Sequence, residues 1–212
     1  MNEKNLIEYF ESYLSSDNKV DNIINNKMEY LFVLESPHTQ ELKNKYPLAG
    51  YSGKKIAKFF GDNKNSFGKI VKENSKCNIG IMNICQCPLQ NINPPQEDKC
   101  EKKKYKKMMN ILEFIRKNYK SIFKHRQNLS IANEIEKKIF NNFKESLMEI
   151  IIKYKDIKYI IVCGEFAKAY INQIKIDDNI KVIYTTHPSF IRKDWKIDDE
   201  GIINDIKDKL NL

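Results

Sequence analysis

Four short apolar runs, at 30–34, 78–82, 159–162 and 181–184, set the limits on how this chain folds. They are dense in Ile and Val and lack strict polar alternation, the pattern of parallel strands covered on both faces. Helical stretches separate them at 53–60, 98–119, 131–154 and 165–174, and a closing helix fits 199–211. An N-terminal helix over 4–15 sets Leu6, Ile7, Phe10 and Leu14 on one face. Strands alternating with helices predict a three-layer α/β/α sandwich around a central four-stranded, mostly parallel sheet. The 212 residues carry no internal repeat and no Gly/Ser-rich or Pro-rich linker, so one domain over 1–212 is expected, with 1–28 as a helical extension.

Composition bounds the partners. Hydrophobic residues make up 41% of the chain, enough for a core, and no apolar run approaches the ~20 residues of a membrane helix. The opening residues are acidic and amphipathic, without the basic flank and apolar stretch of a secretory leader. Five unevenly spread cysteines argue against a disulfide framework and for a reducing cytoplasm. A net charge of +9 suits a polyanion such as DNA, since cationic side chains displace condensed counterions. The same charge also follows from the abundance of Lys, Asn and Ile that an AT-rich genome imposes; only Arg116, Arg126 and Arg192 are arginines. The run Lys102–Lys107 reads as a solvated helix face, or, with Tyr105 among the lysines, as a track for phosphates.

The unusual residues cluster by position. Glu35-Ser36-Pro37-His38 follows the first strand, and Pro47-Leu48-Ala49-Gly50-Tyr51-Ser52-Gly53 precedes a helix. Asn83 ends the second strand, Cys163-Gly164-Glu165 the third, and Thr185-Thr186-His187-Pro188-Ser189-Phe190 the fourth. In open parallel sheets the loops at the carboxyl ends converge on one crevice, where ligands bind. Each residue has an ordinary reading as well. His38 serves equally as a helix cap, Asn83 as a backbone partner, Gly50 and Gly53 as turn residues, and His187-Pro188-Ser189 as a helix entry.

In order and spacing these segments resemble the uracil-DNA glycosylase superfamily, most closely its iron–sulfur-containing branch. Leu34-Glu35-Ser36-Pro37-His38 is similar to that branch's Gly-Glu-Ala-Pro-Gly turn, and Pro47 to Gly53 to its Pro-Phe-x-Gly-x-x-Gly stretch. Asn83-Ile84-Cys85-Gln86-Cys87 resembles Asn-Val-Val-Lys-Cys, and His187-Pro188-Ser189-Phe190-Ile191-Arg192 resembles the terminal His-Pro-Ser motif with its aromatic, aliphatic and Arg. The resemblance spans residues 30–192 and implies a DNA glycosylase that hydrolyses the N-glycosidic bond of an extruded base. By that resemblance Glu35, His187 and Asn83 are catalytic: Glu35 orients water, His187 donates to the developing oxyanion, and Asn83 reads the base edge. Ser36, Pro37, His38 and Leu48 then surround the base. Ser52, Gly53 and Ser189 contact phosphates, Phe190 and Ile191 fill the vacated stack, and Arg192 contacts the backbone.

Three departures shape the expectations. The branch's iron–sulfur cluster needs four cysteines, and none precedes Cys77 here; Cys87 and Cys100 match only the later pair, so no cluster, no other cofactor and no metal is expected. Cys77, Cys85 and Cys163 read as small buried hydrophobes. Leu48 replaces a base-stacking Phe, leaving Tyr46 or Tyr51 to supply the aromatic, and His38 replaces a small residue. The expected substrate is therefore uracil, a deaminated purine or an enlarged modified base, in repair or in defence against phage. The alternative is a relative that binds DNA or a base without cleaving it, since Ser36 stands where several relatives carry Asp or Asn. A cytoplasmic monomer is expected.

Overall fold

The computed structural model describes residues 3–92, 99–122, 130–190 and 195–211. Four strands, β1 (Tyr30–Leu34), β2 (Ile79–Asn83), β3 (Tyr159–Cys163) and β4 (Lys181–Thr185), form one sheet in the order β2-β1-β3-β4, with every pair parallel. Eight α-helices surround it among the described residues: α1 (Glu3–Leu14), α2 (Thr39–Asn44), α3 (Tyr51–Phe60), α4 (Phe67–Glu73), α5 (Lys99–Lys117), α6 (Ser130–Lys153), α7 (Glu165–Ile171) and α8 (Glu200–Leu210).

The strand period of two sorts the apolar residues into two cores. From β1, Leu31 and Val33 join Ile160 and Val162 of β3 beneath α1, α5, α6 and α7. Tyr30, Phe32 and Leu34 of β1 point the other way, with Ile79 and Ile81 of β2 and Ile161 and Cys163 of β3, beneath α3, α4 and α8. Both faces of the central strands are thus covered, which makes the molecule a three-layer α/β/α sandwich. The helix α1 belongs to this packing: Leu6 and Phe10 are fully buried in the first core. Downstream of α1 the chain returns to the sheet, where Ile23 and Ile81 exchange two backbone hydrogen bonds of 2.8 Å in an antiparallel bridge along the outer edge of β2.

Several elements differ from the sequence expectation. Asn78 is not the first residue of β2; it holds φ +56 and its side chain bonds Glu29, so it is the turn that enters the strand. Strand β4 is only half covered, as suits the edge of the sheet. The helices α2 and α4 were not anticipated: α2 buries a single side chain, Glu41, and so has no apolar stripe, while α4 is only seven residues long with Gly68 in its first turn. Tyr105 is buried edge-to-face against Tyr13 at 6.3 Å, which removes it from any phosphate track; Lys102, Lys103, Lys106 and Lys107 form a solvated face. Among the described residues no helix is long and apolar enough to cross a membrane.

Candidate active site

The strand order creates the site. From β1 the chain steps to β2 on one side, then crosses to β3 on the other, so the connections diverge above the carboxyl ends of β1 and β3. The register brings those ends level, with Leu34 beside Asn83 and Cys163 beside Thr185. Beyond the strands, Ile84 N–H donates to the Leu34 carbonyl and Cys85 N–H to that of Glu35, which holds the Glu35 backbone against the β2 exit.

A cleft of about 510 Å³ opens at this edge, and Glu35, Asn83 and His187 all line it. Ser36, His38, Leu48, Ser52, Ser189 and Phe190 line it too. Pro37 is buried outside the lining, and Ile191 and Arg192 lie outside the described residues. Gly53 is also buried away from the cleft: a Cβ there would stand 1.8 Å from the Leu48 carbonyl oxygen, so glycine lets α3 close onto the loop before it.

Asn83 is the most telling side chain. It is 2% exposed, and neither its amide oxygen nor its amide nitrogen has a hydrogen-bond partner in the protein. Native structures satisfy most such groups, and an orphan costs roughly 1–3 kcal/mol. Ser36 Oγ and Arg116 Nε, on two further residues of the cleft lining, are likewise buried and unpartnered.

Glu35 is mostly buried, and burial pushes its carboxyl above the usual carboxylate range. Arg116 opposes this from Nη1, 3.7 Å from Glu35 Oε1. That separation is an ion pair longer than an ordinary hydrogen bond. Burial holds His187 below the ordinary imidazole range, with Arg116 acting in the same direction. His187 Nδ1 accepts the Ser189 N–H at 3.2 Å and lies 2.7 Å from Ser189 Oγ. An accepting Nδ1 puts the proton of the neutral ring on Nε2, making His187 a hydrogen-bond donor through that atom. Gly164, at φ +99 and ψ +163, gives the ring its room: a Cβ there would stand 3.0 Å from His187 Cβ.

Two residues that shape the site escaped the sequence reading. Arg116 projects from the last turn of α5, and its one signal was rarity, an arginine in a lysine-rich chain. Glu41 is buried, and its carboxylate accepts the N–H of His38 at 2.7 Å and of Leu48 at 2.6 Å, tying the two loops that flank the cleft. The spacing His38-x-x-Glu41 is that of a capping box, with His in place of Ser or Thr. Of the candidate aromatics, Tyr51 lines the cleft, whereas Tyr46 sits outside it beneath Lys72. Cys77, Cys85, Cys87 and Cys163 are buried thiols, and Cys100 is exposed. Among the described residues no three His, Cys, Asp or Glu side chains converge as metal ligands. Compared with known proteins, the chain matches no family model and no curated protein.

Proposed function

We propose that this chain is a DNA glycosylase that hydrolyses the N-glycosidic bond of a base extruded into the cleft. The observation that supports it is the orphaned amide of Asn83 in a wall shared with Glu35 and His187. An amide offers an acceptor beside a donor. The edges of uracil and hypoxanthine offer the complement, a ring N–H beside a carbonyl oxygen, so such a base satisfies both atoms at once.

The other side chains suit the chemistry. Water bound by the Glu35 carboxylate attacks C1′ of the sugar; the new O–C1′ bond forms as the C1′–N bond breaks, and its electron pair leaves on the base. The water proton passes to Glu35, whose charge also faces the cationic sugar. His187, neutral at pH 7, donates Nε2–H to the base oxygen on which negative charge collects. Arg116 counters the burial that favours protonated Glu35.

The test is to incubate the protein with oligonucleotides carrying uracil, hypoxanthine or natural hypermodified pyrimidines, then treat with alkali. Strand cleavage at one of these bases is expected. Glu35→Gln should lower it by roughly 10²–10⁴-fold while DNA binding survives. DNA binding with no abasic site on any base would replace the enzyme by a binding-only protein.

A further inference from the structure

Four large hydrophobic side chains are exposed among the described residues, and two of them, Tyr51 at 59% and Phe190 at 55%, flank the mouth of the cleft. They come from different layers, Tyr51 from the first turn of α3 and Phe190 from the loop after β4. Lys55 ties them together: its ammonium lies 5.3 Å from the Tyr51 ring centroid and donates to the Phe190 carbonyl at 2.7 Å. The pair is therefore a coupled part of the cleft lining, a rim linked through Lys55.

The charge around this rim is positive. Lys54 and Lys58 are exposed on α3 beside the half-buried Lys55. The first turn of α3, whose N-cap is Gly50 without a side-chain cap, presents backbone N–H groups at the same edge. Exposed aromatics set among cations match a strand of nucleotides, whose bases stack on the rings while its phosphates meet the lysines.

The geometry points to single-stranded DNA as the ligand of this rim, with the bases on either side of the extruded one stacked on Tyr51 and Phe190. In a duplex the bases flanking an extruded one stay paired and stacked on their outer neighbours, so turning both onto two rings requires breaking that pairing and stacking. Bases of a single strand carry free faces and need no such disruption. The proposal deepens the glycosylase reading by naming its substrate form, yet binding at the rim is measurable without any excision.

Fluorescence anisotropy with a labelled oligothymidine and the corresponding duplex, at one salt concentration, tests it. The single strand should bind at least about tenfold more tightly than the duplex. Tyr51→Ala and Phe190→Ala should each weaken single-strand binding about tenfold and more than they weaken duplex binding, and Tyr51→Phe should restore it. Both side chains are exposed, so an unchanged melting temperature will show that the variants are folded. Equal affinity for the two forms, no binding to either, or indifference to both alanines would overturn the proposal. Single-strand preference without excision of any base would sink the glycosylase reading and leave the rim standing.

Discussion

Arg116 Nη1 stands 3.7 Å from Glu35 Oε1, near enough for attraction and too far for a hydrogen bond. The pair joins the end of α5 to the exit of β1, and its charge opposes the effect of burial on the Glu35 carboxyl. Because burial raises the Glu35 pKa, the rate of base excision should fall as pH drops through a value above the ordinary carboxylate range of about 4.3. Arg116→Met removes the opposing charge, so that acid limb should move to higher pH, while Arg116→Lys should move it less. A limb that stays in place in the methionine variant would separate Arg116 from Glu35 control.

The same shift has a stability consequence of definite sign. A carboxyl whose pKa is raised by folding contributes stability that is full below the unfolded value and is lost as pH rises through the folded value. Glu35→Gln should therefore be more stable than the native chain at pH 7 and no more stable at pH 3. Denaturant titrations at the two pH values give the comparison.

Asn83 carries a similar trade. Both amide atoms are buried without partners, so Asn83→Leu, close in volume, should stabilise the fold by roughly 1 kcal/mol while removing base recognition. Equilibrium unfolding together with the alkali-cleavage assay reads both effects. A destabilised variant would mean that the amide is satisfied in the native protein after all.

Glu41 should behave in the opposite way. Its carboxylate accepts two backbone N–H groups, one from buried Leu48, which holds φ +55. Glu41→Ala orphans both donors, and a loss of roughly 2–4 kcal/mol is expected, with Glu41→Gln between the two. Urea unfolding monitored by Trp195 fluorescence is the measurement, since that indole is buried in the second core.

Gly164→Ala forces a side chain into a backbone region that is essentially confined to glycine, and into the His187 ring. The expected cost is roughly 1–3 kcal/mol, with a larger proportional loss of excision than of DNA binding. Comparing abasic-site formation with anisotropy for this variant separates the two effects.

The sheet was legible because strands buried on both faces must be apolar along their whole length, and β1 and β3 are. Glu35, Asn83 and His187 stood out for the complementary reason: a polar residue at the end of such a run has few structural duties there. Arg116 was hidden because its placement depends on how the 19-residue α5 packs against α6 and the sheet, a tertiary relation with no local signature. Glu41 was hidden because its partners are backbone N–H groups, whose availability depends on the path of the loop at Leu48. The protonation preferences of Glu35 and His187 are products of burial and have no sequence counterpart.

The pair of backbone hydrogen bonds between Ile23 and Ile81 gives the segment after α1 a protective duty. Stripped of residues 1–28, β2 would present a bare rail of N–H and C=O groups, the template on which foreign strands add. A chain trimmed at this apparent appendage should therefore self-associate, scattering light at concentrations where the intact protein stays clear.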